Sequence, residues 1–248
     1  MKQLLSFINL INNSRRPLFF TGAGISTESG IPDFRGPSGF WKTNTPIYFK
    51  DFISSESARR DSWQRNINLS KKLSKVKPND GHLALKDIME RNKESYLITQ
   101  NVDNLHQDSG VPEKKITELH GNSTYANCLS CYKKYSLKIV HEPFIKKGLI
   151  IPCDDCGGLL KTATISFGQP MPEEEMEIAL LKAAKADLFV VIGSSLAVYP
   201  AAGLPKIAQE SGSKLVILNA EPTELDSIFD LVVHQKIGIF LKKVAKNI

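Results

Sequence analysis

Residues 17–36 read PLFFTGAGISTESGIPDFRG, and this stretch decides the fold. An apolar run leads into Gly22-Ala-Gly24, the way a dinucleotide-binding βαβ unit begins, because glycines let a pyrophosphate approach the chain closely. The third glycine of that motif would fall at position 27, where the sequence has Thr27. A loop follows instead of a prompt helix and second strand. The stretch therefore predicts a nucleotide-binding turn that runs into a loop.

Short apolar runs alternate with helical patterns along the rest of the chain. This alternation predicts an α/β fold, a Rossmann-like parallel sheet with helices on both faces. One predicted helix face carries Leu85, Ile88 and Met89, and another carries Ile178, Leu181 and Ala184. The predicted strands cover residues 18–20, 96–99, 116–119, 164–167, 188–192, 215–218 and 231–233.

Two segments interrupt this rhythm. Residues 38–79 are polar and irregular, and residues 124–160 contain all the cysteines. We expect both to pack together as a small zinc-binding domain, a helical and zinc-ribbon module beside the sheet. The Rossmann-like nucleotide-binding domain then comprises residues 1–37, 80–123 and 161–248.

The composition is that of an ordinary globular protein, with a net charge of +6 over 248 residues. A basic balance permits attraction to phosphate-bearing partners or nucleic acid. The charges are dispersed, however, apart from small groups such as Lys71-Lys72 and Lys133-Lys134. This favours a lysine-rich solvated surface, and we expect no direct nucleic-acid binding.

The N-terminal stretch predicts an amphipathic helix rather than a secretory signal. Its apolar residues Leu4, Leu5, Ile8 and Ile11 follow helical spacing, and no small-residue cleavage site comes after them. No run of about 18 apolar residues occurs, so we expect no membrane span. These features predict an intracellular, cytoplasmic protein.

The cysteines form two C-x-x-C pairs, Cys128 with Cys131 and Cys153 with Cys156. In a chain without a secretory signal, disulfides are the minority explanation. Each pair directs two thiolates at one point, and two pairs complete a tetrahedral site that suits Zn²⁺. Four sulfur ligands leave no open position, so the predicted zinc is structural. An iron–sulfur cluster, a redox pair and free thiols are the alternatives.

A second glycine turn lies in the C-terminal half. The strand LFVVI leads into Gly193-Ser194-Ser195, and the next strand, KLVIL, ends at Asn219 and Glu221. Polar side chains at the end of that strand commonly contact ribose hydroxyls. The better adenosine site is therefore predicted here, unless both glycine turns are ordinary strand–helix connections.

Polar side chains also follow two central strands. Gln100, Asn101, Asp103 and Asn104 come after one, and Glu118 and His120 come at the end of the other. Ligands of open α/β sheets lie beyond the carboxyl ends of strands, and a histidine accepts protons near neutral pH. The sequence thus predicts a reaction site here. His106 is expected to cap or pack, and His82, His141 and His234 are assigned no role.

Taken together, these motifs resemble the sirtuin family, the NAD-dependent protein-lysine deacylases. The matching motifs occur in the family's order over nearly the whole chain, which makes the ordered set highly specific. They are Gly22-Ala-Gly-Ile-Ser26, Gly30-Ile-Pro-Asp-Phe-Arg35, Gly39-Phe-Trp41, Gln100-Asn-Val-Asp103, Leu119-His-Gly121, both cysteine pairs, Phe167-Gly168, Gly193-Ser-Ser-Leu196 and Asn219-x-Glu221-x-Thr223.

The resemblance implies an enzyme that consumes NAD. The acyl-lysine oxygen would attack C1′ of the nicotinamide ribose as nicotinamide leaves, and water would then release lysine and O-acyl-ADP-ribose. His120 would be the general base, Asn101 would hold the ribose and a water, and the loop with Phe34 would cover the nicotinamide site. The implied NAD-binding residues are Gly22, Ala23, Gly24, Ser26, Asp33, Phe34, Arg35, Gln100, Asn101, Val102, Asp103, Gly193, Ser194, Ser195, Asn219 and Glu221.

The resemblance also implies an acyl-lysine peptide that binds as an added strand against Phe167, Gly168, Val198 and Tyr199. The chain departs from the family at Gln169, where Glu is frequent. The Tyr-x-x-Arg pair of succinyl- and malonyl-selective members is absent, with Trp63 and Arg65 in that region. We therefore expect neutral acyl groups, acetyl first, and a monomeric enzyme.

Three other functions compete with deacylation. The same site would serve a protein ADP-ribosyltransferase, although the intact polar set does not require one. A non-catalytic zinc-ribbon module that binds nucleic acid would leave His120 and Asn101 idle. An ordinary NAD dehydrogenase is disfavoured by the incomplete glycine motif and the loop that follows it.

Overall fold

The computed structural model describes residues 1–34, 36, 39, 42 and 44–248. In this part of the chain, six parallel strands form the main sheet. They are β1 (Pro17–Thr21), β2 (Tyr96–Thr99), β3 (Ile116–Glu118), β7 (Leu188–Ile192), β8 (Lys214–Asn219) and β9 (Leu231–His234). Their order in the sheet is β3-β2-β1-β7-β8-β9, the order of a Rossmann fold, so the predicted α/β class is confirmed.

Helices cover both faces of this sheet. On one face lie α1 (Lys2–Asn13), α4 (Asp80–Glu90) and α9 (Ile237–Ala245), whose apolar residues share a buried cluster with Phe19 and Val190. On the other lie α7 (Glu173–Lys185) and α8 (Leu204–Glu210), which pack with Phe20 and Phe189. Successive strand residues point to opposite faces, so Phe19 and Phe20 belong to different clusters.

Helix α4 begins with a cap that ties it to the first glycine turn. The Asn79 side chain accepts from the Gly81 amide at 2.8 Å, which satisfies a backbone donor at the helix start. Its Nδ2 donates to the Ile25 carbonyl at 2.8 Å. One side chain therefore starts the helix and fixes the turn beside it.

A second, antiparallel sheet has the order β5-β4-β6 among the described residues. It consists of β4 (Gly121–Cys128), β5 (Lys134–Ser136) and β6 (Leu160–Thr164). Trp63 and Val140 pack with its apolar residues in one cluster. These two residues belong to α3 (Glu56–Leu73) and α6 (Leu137–Lys147), and α2 (Phe49–Ser54) precedes α3. The boundaries proposed for the small domain remain a prediction.

Two sequence-based assignments are wrong. Residues 164–167 are not a strand of the main sheet, because β6 ends at Thr164 and pairs with β4 instead. The buried residues of α7 are Ala179 and Ala183, whereas Leu181 is 51% exposed. Small alanines let this helix lie close to the sheet, so the spacing of its larger side chains pointed to the wrong face.

The N-terminal helix is confirmed as α1, which buries Phe7 and Ile11 and leaves Leu5 exposed. Within the described residues, every helix is too short or too polar to span a lipid bilayer.

Candidate active site

The two glycine turns meet at the carboxyl ends of β1 and β7, where the strand order reverses. The Gly24 amide donates to the Gly193 carbonyl at 2.8 Å, and the Gly22 amide donates to Ile192 at 3.0 Å. A Cβ on either Gly22 or Gly24 would lie 2.7 Å from Gly193 atoms, and Gly193 has φ +64°. The sequence prediction explained these glycines by the pyrophosphate alone. The structure shows that they are first needed where two backbones touch.

The strand β2 brings a polar pair to the same edge. Gln100 Nε2 donates to Ser194 Oγ at 2.8 Å, which links the ends of β2 and β7 across β1. The Asn101 side chain, 4% exposed, turns beneath the first glycine turn and donates to the Gly22 carbonyl at 3.1 Å. Both predicted residues therefore lie where a ligand at the strand reversal would be.

A buried network holds Asp103. Its Oδ2 accepts from the Ser26 hydroxyl at 2.7 Å, and its Oδ1 accepts from the Leu105 amide at 3.0 Å. Burial raises the pKa of the Asp103 carboxyl, and the two donors oppose that shift. Asn101 Nδ2 also donates to Ser26 Oγ, at 3.3 Å. Ser26 is thus the junction between the glycine turn and the Asn-Val-Asp segment.

His120 follows β3, and its ring is oriented by the strand next to it. Nδ1 lies 3.1 Å from the Gln100 carbonyl. A carbonyl only accepts, so Nδ1 carries the hydrogen and the neutral ring has its lone pair on Nε2. The structure therefore supplies an oriented imidazole, of the tautomer that a general base requires, at the predicted edge.

Sequence reasoning missed a pair of buried histidines beneath this site. His106 Nε2 lies 2.9 Å from Thr21 Oγ1, and the His82 ring lies 5.1 Å from the His106 ring. Burial lowers the pKa of His82 to about 4 and lowers that of His106 further below its usual range. Both rings are thus neutral near pH 7. They fill the floor of the site, and no spacing pattern in the sequence indicates this pairing.

The loop after the first turn is described only in part. Asp33 Oδ1 accepts from the Gly36 amide at 2.9 Å, and Phe34 is 36% exposed. Arg35 and Trp41, both named in the sequence prediction, lie outside the described residues. The predicted covering role of this loop remains a prediction.

The predicted adenosine end lies beyond β8. Asn219 Nδ2 donates to the Glu221 carbonyl at 2.8 Å, which folds the chain back over the strand end. Glu221 and Ser195 are exposed, and Ser194 is 5% exposed. The structure brings these residues to one edge with the glycine turns, as expected for neighbouring parallel strands.

The predicted peptide-binding residue Phe167 lies in the segment after β6 and is 38% exposed. The Phe167 carbonyl accepts from the Phe49 amide at 2.9 Å, and its ring lies 6.2 Å from that of Tyr48. Gly168 has φ +77°, and Tyr199 is 69% exposed. These contacts connect the segment after β6 to the start of α2.

The four cysteines form one cluster, as predicted. Their sulfur atoms all lie within 4.8 Å of one another, and the Cys128–Cys156 and Cys131–Cys153 pairs are 3.5 and 3.6 Å apart. Zn–S bonds of about 2.3 Å in a tetrahedron place sulfurs roughly 3.8 Å apart. The donor set therefore fits a structural Zn²⁺ with no position left for substrate.

Comparison with known proteins agrees with this geometry. A sequence model of the Sir2 family matches residues 22–200. An NAD-dependent protein deacetylase of Rhodopseudomonas palustris is 51% identical over 219 residues, covering 88% of this chain and 87% of that protein.

Solved structures give the same result. A Sir2 structure with a p53 peptide and NAD⁺ superposes with a TM-score of 0.87 at 36% identity, covering 97% of this chain and 96% of the other. Sir2Tm bound to a propionylated peptide superposes with a TM-score of 0.86 at 35% identity, covering 99% and 98%.

The fold and the cysteine cluster thus define an α/β protein of the Rossmann type with a structural zinc module. The chain belongs to the Sir2 family.

Proposed function

We propose that this protein is an NAD-dependent protein-lysine deacylase, with acetyl-lysine as its first substrate, ADP-ribose as the acyl acceptor and nicotinamide as the second product. The observation that carries the proposal is the orientation of His120. The Gln100 carbonyl accepts from its Nδ1–H, which leaves the lone pair on Nε2, and the Gln100 side chain itself contacts Ser194 of the second glycine turn. The similarity to enzymes named NAD-dependent protein deacetylases supports the same activity.

The other side chains bind and orient. Gln100 and Asn101 hold the nicotinamide ribose, and Asp103 with Val102 holds the carboxamide. Ser26 keeps the Asp103 carboxylate in place through the hydrogen bond of 2.7 Å. When bound, NAD supplies the carbon that receives the acyl oxygen. His120 Nε2 takes a proton from a ribose hydroxyl, and the loop with Asp33, Phe34 and Arg35 excludes water.

The acyl pocket is proposed to prefer neutral groups. Trp63 is 1% exposed inside the small-sheet cluster, and an Arg65 nitrogen donates to the Thr45 carbonyl at 2.6 Å. Neither side chain is therefore placed to neutralise an acyl carboxylate. A cytoplasmic location and a monomeric state belong to the same proposal and rest on the sequence reasoning above.

Mass spectrometry of lysine peptides tests the proposal. Peptides carrying acetyl, propionyl or succinyl groups are incubated with the protein, with and without NAD. We expect loss of the acetyl group and release of nicotinamide only when NAD is present, with slower loss of succinyl. His120→Ala should lower the rate by about 10²–10⁴-fold, the usual contribution of a general base.

His141→Gln is the matched control, because this histidine lies in α6 and bonds Asn66 at 2.7 Å, away from the strand edge. It should keep near-normal rates. Labelled NAD separates the alternatives, since a transferase would label the protein target. An acetylated peptide left unchanged while the target becomes labelled would overturn deacylation.

A further inference from the structure

Lys161 is a lysine in a place where lysines are rarely found. It lies in β6 and is 3% exposed. Its neighbour Leu160 packs in the apolar cluster of Trp63, and strand alternation turns Lys161 to the opposite face. There its Nζ lies 5.9 Å from the centre of the Phe52 ring, which belongs to α2.

The buried ammonium group has no carboxylate partner among the residues that the structure describes. Its hydrogen bonds go to two backbone carbonyls, those of Thr164 and, at 3.3 Å, Thr162. Burial without a counter-charge lowers the pKa of Lys161 to about 8. Such a cation is expensive to bury, so the fold gains little stability from it.

The Thr164 carbonyl, which accepts from the Lys161 ammonium group, lies where β6 meets the residues around His120. Thr164 is the last residue of β6 and pairs with Gly121, the residue directly after His120. The next amide, that of Ile165, donates to the His120 carbonyl at 2.9 Å. Two residues further on, the Phe167 carbonyl accepts from Phe49. Residues 164–167 therefore connect His120, the proposed base, to Phe167 of the proposed peptide-binding surface.

We propose that Lys161 is a positioning residue for peptide binding: its ammonium group fixes the Thr164 carbonyl and so sets the segment of residues 165–171 against His120 and α2. The inference rests on the proposed deacylase function. The ammonium group bonds the Thr164 carbonyl although a second acceptor lies nearby, and this supports a specific role for that bond. Asn127 lies directly across the ladder from Lys161, and its buried Oδ1 has no hydrogen-bond partner among the described residues.

Two substitutions at this position separate positioning from packing. Lys161→Met keeps most of the apolar volume and removes the donors, whereas Lys161→Arg keeps the charge and the donors. Lys138→Met is the control, because that lysine is 81% exposed on α6. Each variant is measured by hydrogen exchange, by steady-state kinetics for peptide and NAD separately, and by urea unfolding.

Loss of a charge-assisted hydrogen bond should raise the KM for an acetylated peptide by roughly 10-fold to 100-fold in Lys161→Met. By the same argument, amide hydrogen exchange in residues 165–171 of Lys161→Met should accelerate by at least about tenfold. The KM of this variant for NAD should stay within about twofold of the wild-type value. Lys161→Arg should restore most of the protection, and the urea midpoint of Lys161→Met should not fall.

Unchanged exchange in residues 165–171 of Lys161→Met would overturn the proposal. So would equal rises in both KM values together with a lower urea midpoint, because that pattern indicates a general structural role. If the wild-type protein fails to deacylate any peptide, the proposed function falls. The exchange comparison still decides whether Lys161 fixes this segment.

Discussion

At the residue scale, Asp103 is a carboxylate buried where burial disfavours its charge. Because burial raises its folded-state pKa, the folded protein retains this proton to a higher pH than the unfolded chain does. The stability that the group contributes is present below the unfolded pKa and is lost as pH rises through the raised pKa. Ionised Asp103 is therefore a cost of the site near neutral pH.

Asp103→Asn should consequently unfold at a higher urea concentration than the wild type at pH 8, and this advantage should shrink as the pH is lowered towards the ordinary aspartate pKa of 3.8. The same change should lower kcat/KM by about 10–10³-fold, because it removes a preorganised charge from the proposed nicotinamide site. Urea unfolding at several pH values and steady-state kinetics measure both effects.

Asp108 on α5 (Leu105–Asp108) is unsuitable as a control, because its charge raises the pKa of Asp103. Asp61→Asn, at an exposed carboxylate on α3, is the matched control. It should change neither quantity appreciably. A variant at position 103 that is less stable than the wild type at every pH would contradict the argument.

Part of the site was predictable residue by residue. His120, Gln100 and Asn101 follow apolar runs, so their position at a sheet edge could be read from the sequence. The contact between His82 and His106 beneath the site could not be predicted from the sequence. Their pairing joins α4 to α5 across the chain, and no local pattern encodes a contact between two helices.

At the scale of elements, the strands that are buried on both faces were the most predictable. All residues of β1 and β7 are buried, and a continuous apolar run is what such burial requires. Residues 164–167 were wrongly assigned to the main sheet, because the β-branched residues Thr164 and Ile165 suit a strand of either sheet. Which sheet a short strand joins depends on long-range pairing, here with β4, and local sequence does not carry that information.

The zinc module gives a prediction at this scale. Cys128 and Cys153 belong to the same buried cluster as Trp63, so the metal and the packing of the small sheet are coupled. Removing the metal with a chelator should shift Trp63 emission to longer wavelength and lower the unfolding temperature. Trp41→Phe makes Trp63 the only tryptophan for this measurement.

Added Zn²⁺ should reverse both changes, because a structural metal contributes directly to folding free energy. Cys153→Ser should resemble the chelated protein whether or not zinc is added. If the metal-free protein keeps the emission and unfolding temperature of the zinc-bound protein, the cysteine cluster does not support the small sheet.

At the scale of the whole molecule, the positive charge is less evenly spread than the sequence first indicates. Residues 38–79 contain nine Lys and Arg against three Asp and Glu, so this segment alone accounts for the net charge of +6. It contacts the proposed site at two points. The Lys77 carbonyl accepts from Ser29 at 2.8 Å, and the Phe49 amide donates to Phe167.

We therefore predict a preference for acetyl-lysine peptides with acidic flanking residues. At low ionic strength their kcat/KM should exceed that of lysine-flanked peptides several-fold, and the difference should fall as salt shortens the screening length to about 3 Å at 1 M. The triple variant Lys71→Glu, Lys72→Glu, Lys75→Glu should reduce the preference, since these side chains are exposed.

Lys206→Glu, at a side chain of α8 that is 74% exposed, is the control and should leave the preference intact. If the ratio of kcat/KM between the acidic-flanked and lysine-flanked peptides changes neither with salt nor in the triple variant, the charged segment plays no part in substrate choice.

The contact between Gly24 and Gly193 has a consequence for how such proteins are recognised. Because each glycine is demanded by the other's backbone, mutation at either position would be selected against even in a descendant that no longer used any nucleotide. Such a degenerate relative would still display its Gly-Ala-Gly signature. The motif therefore indicates ancestry and fold. Evidence of catalysis must come from His120 and the Asn101-Val102-Asp103 segment.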